Sequence, residues 1–330
     1  MTKTIDSAGA RRRAQRSAPA PRSEHASAPL VPSSLGARAL DRRQAGVLLH
    51  VTSLPGRHGS GDLGPEARAF VDFLASAGQR MWQMLPVVPP GAGRSPYSSV
   101  STFAGDPSLI GLDDLVKDGL LSGDDVAFEM PPGDLDAARV DPARADRLRR
   151  AFARFSADRA AFASLDAELS AFRRRAAAWL ADYALFMALK RAHDGAPWTQ
   201  WEPALRDREP AALEAARARH ADEVAYVELE QLLFDRQWRA LRAYASERDV
   251  ALVGDAPIFV AHDSADVWAH RAYFRLDAEG NPTHVAGVPP DYFSKTGQLW
   301  GNPLYRWKRL KRDGYKLWID RFRALVERFD

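Results

Sequence analysis

Apolar and polar positions fall in blocks whose order predicts an α/β protein. The run Gly46-Val47-Leu48-Leu49-His50-Val51 is apolar, bounded by turn residues, and reads as a strand buried on both faces. A Gly/Pro-rich loop from Leu54 to Pro65 follows. Next, Phe70, Phe73, Leu74 and Ala77 recur at the helical period, and Gly78 marks the stop. A second strand is predicted from Met81 to Val88. Strand, helix and strand within about 45 residues make a βαβ unit, which implies parallel strands and a right-handed crossover.

A loop rich in Gly, Pro and Ser runs from Pro89 to Pro107, and residues 108–248 read as mostly helical. Three apolar stripes mark those helices: Leu165, Leu169 and Phe172; Trp179, Tyr183, Phe186 and Met187; and Val227, Phe234, Trp238 and Leu241. The Pro/Gly/Asp stretch from Pro131 to Pro142 is the expected internal boundary. A third strand, Val250 to Asp255, restores the βα rhythm. It leads into a loop of about 45 residues running to Trp307 and then a helix at 313–329, with Trp318, Phe322, Leu325, Val326 and Phe329 as its stripe. Three parallel strands neither close a barrel of eight nor finish a doubly wound sheet. The βα rhythm calls for another strand after this helix, so the chain is expected to be incomplete at Asp330.

The 330 residues suggest about two domains. An apolar content of 46% and a charged content of 27% exclude a disordered or collagen-like chain. No run approaches the ~18 apolar residues of a membrane span, and no apolar segment follows the N-terminal arginines as in a secretory signal. The absence of cysteine excludes thiolate chemistry and agrees with a reducing cytoplasm. Charge is unevenly spread. Residues 1–43 hold nine basic and three acidic side chains, more than the whole chain's net +3, which leaves the body three negative. Nucleic-acid binding would need basic residues on the body, so no nucleic-acid partner is expected. The first 43 residues, rich in Ala, Ser, Pro and Arg, read as a disordered basic tail.

In parallel α/β proteins the site lies at the carboxyl ends of the strands. Here those ends carry His50, Pro86 to Pro90, and Asp255, each followed by a polar and aromatic loop. The run Arg94-Ser95-Pro96-Tyr97-Ser98-Ser99 is either a Pro turn with surface hydroxyls or part of a site. Asp255 either caps the turn before Pro257 or faces the mouth of the sheet, and His50 is either a satisfied core histidine or a site residue. The third loop combines Tyr292, Phe293 and Trp300 with Asp291, Gln298 and Asn302. Sugar rings pack C–H groups on aromatic faces and need planar hydrogen-bonding partners for their hydroxyls, although a self-packed Ω-loop is also open. No histidine has metal spacing, and no dinucleotide fingerprint, phosphate loop or nucleophile elbow occurs.

Six motifs, in order, resemble the 4-alpha-glucanotransferases, also called amylomaltases or disproportionating enzymes (glycoside hydrolase family 77). They are Gly46 to His50 with Ser53-Leu54-Pro55-Gly56; Trp82 to Pro86; Ser95-Pro96-Tyr97-Ser98; Phe103 to Pro107; Gly254 to Ala261; and Gly287 to Ser294 with Gly297 to Pro303. The resemblance covers about residues 46–310. It implies a (β/α)8 TIM-type barrel, of which this chain holds about the first three strands, with a large inserted helical subdomain. The implied layout is a tail at 1–43, the first part of the barrel at 44–130, the helical subdomain at 131–248, and strand three with its substrate loop and helix at 249–330.

The implied reaction is transfer of α-1,4-glucan segments between maltooligosaccharides or to glucose, by a retaining double displacement in the cytoplasm, with no cofactor, metal or membrane partner. Tyr97, Asp255, Asp291, Gln298 and Trp300 would line the sugar subsites, Asn302 and Ser95 would support those loops, and His50, at the first strand end, is expected among the substrate-binding residues too. Val51 and Lys295 depart from residues common in the family. The nucleophile and the acid/base are expected beyond Asp330, in a fourth strand with an Arg-Ile-Asp-His-Phe type of motif. The chain alone is therefore expected to be inactive; the alternative is a non-catalytic α-glucan-binding module.

Overall fold

Three short parallel strands organise the fold. The computed structural model describes residues 43–131 and 133–330, and these belong to a single compact unit. The strands are β1 (Gly46–Leu48), β2 (Met81–Gln83) and β3 (Ala251–Val253), in the order β1-β2-β3. Gly46 pairs with Met81, and Met81 with Ala251. The strands are shorter than the apolar runs predict. Pairing continues one step further, with Leu49 N–H donating to Gln83 O and Met84 N–H to Val253 O. Val51–Ser53 then coils into a 3-10 turn, and Pro86 has no N–H to give. Nor is β1 buried on both faces: Leu48 is 58% exposed, because β1 is an edge strand among the described residues.

Helix α1 (Pro65–Ser76) joins β1 to β2, with Pro65 in its first turn and Gly78 at φ +73° just past its end. Its buried face is Ala67, Val71 and Leu74, whereas Phe73 points outward, so the predicted stripe is rotated. Trp82 of β2 is wholly buried, and its indole N–H donates to Leu49 O at 2.7 Å.

Between β2 and β3 come α2 (Leu112–Lys117), α3 (Ala137–Ala157), α4 (Ala163–Arg175), α5 (Leu180–Ala192), α6 (Pro203–Arg206), α7 (Pro210–Arg219) and α8 (Ala221–Glu247). The stretch expected as a boundary runs into α3, which contains Pro142. Helix α8 is the hub, packing on α1, α3, α4, α5 and β3. Its buried face carries two glutamines used as backbone clamps. Gln231 exchanges two hydrogen bonds with Gly105 (2.8 and 2.9 Å), and Gln237 does the same with Gly111 (2.7 and 3.0 Å). At Gly105 a Cβ would lie 2.0 Å from the Phe234 ring, so only glycine lets the loop reach its glutamine.

After β3 the predicted long loop is in fact structured. It holds α9 (Ala265–Ala269) and an antiparallel hairpin of β4 (Val285–Val288) and β5 (Gln298–Pro303). Gly297, at φ +73°, lets the chain turn into β5. The final helix is two, α10 (Trp307–Arg312) and α11 (Lys316–Arg328), broken where Gly314 and Tyr315 take positive φ. Leu317 and Arg321 face inward from α11, while Phe322 and Val326 of the predicted stripe are half exposed. Among the described residues no helix is long and apolar enough to cross a membrane, and no group of three or more His, Asp or Glu is placed to hold a metal. The expected tail lies, but for Arg43, outside the described residues.

Candidate carbohydrate-binding site

Three segments far apart in sequence wall one cavity of about 710 Å³. The loop after β2 supplies Ser95, Tyr97 and Ser98. The turn after β3 supplies Asp255 to Phe259, and β5 supplies Trp300 and Asn302.

The first segment is a tight loop closed on itself. Gly91 N–H donates to Ser98 O at 2.7 Å, Ser98 N–H donates to Ser95 O at 3.0 Å, and the Ser95 hydroxyl accepts from Tyr97 N–H at 3.3 Å. Arg94, at φ +54°, pairs with Asp141 of α3 and so ties the loop to the helical segment. This turn aims Tyr97 across the cavity, where its hydroxyl donates to Asp255 Oδ2 at 2.6 Å. The Asp255 carboxylate is thus engaged in the site, two residues past β3, and raises the Tyr97 pKa mainly through this bond. A phenol held protonated remains a donor throughout the physiological range.

The wall at 257–259 is fixed from behind. Buried Arg321 donates to Pro257 O and to the Tyr305 hydroxyl (2.8 Å), and that hydroxyl donates to Ile258 O at 2.8 Å. Asn302 Nδ2 donates to Val260 O at 2.8 Å, which docks β5 onto the same segment. Trp300 meets Phe259 edge-on at 6.1 Å, and its indole N–H donates to Gln298 Oε1 at 3.0 Å. An aromatic wall beside a carboxylate, a phenol and an amide suits a neutral polyhydroxylated ring, by ring stacking and directed hydrogen bonds.

Of the expected site residues, Ser95, Tyr97, Asp255, Trp300 and Asn302 line this cavity. Gln298 does not line it but accepts from the indole N–H of Trp300, which does. Asp291 shapes the hairpin tip instead, its Oδ1 accepting from Phe293 N–H (2.9 Å) and Ser294 N–H (2.8 Å) and leaving Tyr292 and Phe293 almost fully exposed. His50 is not part of the wall. Its Nδ1 is buried without a partner, and burial lowers its pKa. Ser98, Ala256, Pro257, Ile258 and Phe259 also line the wall, and each lies within one of the six family-like motifs.

A family model described as 4-alpha-glucanotransferase matches residues 49–330. The 4-alpha-glucanotransferase of Thermus thermophilus is 51% identical over 287 residues, which cover 87% of this chain and 57% of that protein. That of Synechocystis sp. is 48% identical over 301 residues, 88% of this chain and 58% of the relative. Among solved structures, the amylomaltase from Streptococcus agalactiae in complex with acarbose superposes with a TM-score of 0.82 at 38% identity, over 88% of this chain and 58% of that one. The chain therefore spans a little over half the length of these relatives. With the family model matched from Leu49 to the last residue, this chain belongs to the 4-alpha-glucanotransferase family.

Proposed function

We propose that the cavity between Tyr97, Asp255 and Trp300 binds α-1,4-glucan, and that the chain serves the transfer of glucan segments between maltooligosaccharides or to glucose. The observation that carries this reading is the Tyr97–Asp255 hydrogen bond at 2.6 Å in a cavity walled by Trp300. In a retaining double displacement one carboxylate attacks the anomeric carbon and a second carboxyl acts as acid, then as base. This reading gives both to positions that follow α11 in the family pattern. The described residues bind and orient the sugar, and the aromatic wall keeps water from the glycosyl-enzyme so that a sugar hydroxyl takes its place.

The same reading makes β1, β2 and β3 the first strands of a (β/α)8 barrel, with residues 131–248 as an inserted helical subdomain. The half-exposed apolar face of α11, with Ile319, Phe322 and Val326, supports it, since a neighbouring barrel helix would cover that face. A cytoplasmic location, supported by the absence of cysteine, belongs to this reading too.

The test is titration with maltoheptaose and with acarbose, the ligand in the name of the structural relative, followed by calorimetry and tryptophan fluorescence. Binding that weakens about 5- to 100-fold in Trp300→Ala, with the fold retained, supports the reading. No saturable binding of either sugar to the wild-type chain overturns it.

A further inference from the structure

The turn that carries Tyr97 is closed by bonds of its own, from Gly91 to Ser98 and from Ser98 to Ser95. Those bonds fix its shape and leave its place over the cavity to whatever leads outward. Among the described residues, two side-chain hydrogen bonds lead out of residues 91–98. One runs from Tyr97 to Asp255, across the cavity itself, and the other from Arg94 to Asp141 of α3.

Arg94 stands where the turn needs holding. Its φ of +54° lies in the left-handed region, which a residue with a Cβ keeps only when its surroundings impose it. That angle sets the direction in which the chain enters Ser95, Pro96 and Tyr97. Asp141 depends on the same contact: its Oδ2 accepts from Arg94, and its Oδ1 is buried without a partner. Asp106, whose N–H returns the loop to Val87 O at 3.0 Å, adds a second acid nearby. Burial raises the Asp106 pKa, and the neighbouring Arg94 cation works against that rise.

Arg94 is 34% exposed and Asp141 43%, and pairs this wet contribute little to global stability. A loop needs much less to move. If the turn leaves its place for most of the time, the apparent Kd rises in proportion, although the fold is intact.

The geometry points to Arg94 as a positioning residue: its ion pair with Asp141 holds Tyr97 over the cavity, so a charge on α3 sets the affinity for a neutral sugar. The inference rests on the glucan reading of that cavity. A neutral ligand then binds with a salt dependence that comes from the protein alone, since the pair is screened as the Debye length falls from ~30 Å at 0.01 M to ~3 Å at 1 M salt.

The experiment titrates maltoheptaose into wild type, Arg94→Gln, Asp141→Asn, the double variant and Arg94→Lys, with a melting curve for each. Either single variant should bind about 5- to 20-fold more weakly, the double variant no worse than a single one, and Arg94→Lys within about threefold of wild type. In wild type, Kd should rise about threefold between 0.01 M and 1 M NaCl, and in folded Arg94→Gln it should stay level. Single variants that bind like wild type, losses that multiply in the double variant, or a wild-type Kd indifferent to salt overturn this inference alone. The salt series needs only the wild-type chain, so it decides even where a variant fails to fold. Failure of maltoheptaose to bind wild type at either salt concentration overturns the glucan reading, and this inference with it.

Discussion

The Tyr97 hydroxyl donates to Asp255 at 2.6 Å, joining two strand-end loops that lie 158 residues apart. The bond spans an otherwise open cleft, and Tyr97 is 47% exposed, so its contribution to folding is small. In Tyr97→Phe the ring remains and the donor is lost. Binding of maltoheptaose should weaken about 5- to 20-fold, with unfolding free energy changed by less than about 1 kcal/mol. Calorimetry beside urea unfolding separates the two effects; unchanged binding with lowered stability would mean that the pair merely fastens the loops.

Arg144 of α3 is buried and carries three bonds at once: to Asp62 at 2.9 Å, Ser60 O at 3.1 Å and Ile110 O at 3.0 Å. Arg144→Met strands the buried Asp62 carboxylate and should cost roughly 3–5 kcal/mol in urea unfolding. Replacing Asp62 as well, in Arg144→Met/Asp62→Leu, should recover part of that loss. A double variant no more stable than the single one would locate the loss in the carbonyl bonds instead.

His58 is 2% exposed, packs its ring on Phe128 at 4.7 Å, and donates from Nε2 to Val126 O at 3.2 Å. Burial lowers its pKa below the ordinary 6.5. The folded protein therefore keeps it neutral where the unfolded chain takes up a proton. Its stabilising contribution is full above pH 6.5 and disappears as pH falls through the lowered folded value. His58→Gln should melt below wild type at pH 8, and the gap should narrow towards pH 5. Parallel melting curves across that range would refute the assignment.

At Gly105 the Phe234 ring occupies the place of a side chain. Gly105→Ala should lose about 1–3 kcal/mol through overpacking, read as a lower urea midpoint at unchanged slope. An unaltered midpoint would show that the Phe234 ring can swing away at no expense.

The sequence made the βαβ frame legible because its apolar runs are separated by unambiguous stops such as Gly78. It also located five cavity residues, since strand-end loops are where such a fold places chemistry. Other features depend on contacts that no local pattern encodes. Leu48 looks like a core residue in its run, yet it lies on an edge strand. The hairpin was hidden because Val285-Ala286-Gly287-Val288 and Gln298-Leu299-Trp300 are short and interrupted by glycine, although Gly297 is a turn signal between them. Arg321 stands among the surface-type residues of α11, and its burial behind Pro257 and Tyr305 emerges only in three dimensions.

The two glutamine clamps of α8 also set a timetable. Gln231 and Gln237 each hold a glycine 126 residues earlier in the chain. At synthesis rates of about 5–20 residues per second, the loop around Gly105 leaves the ribosome about 6–25 s before its clamp does. During that interval the N–H and C=O of Gly105 and Gly111, which the two glutamines hold in the folded protein, lack those partners. The segment leading from Tyr97 to Gly105 is thus a place where a nascent chain of this kind depends on being shielded until the long helix arrives.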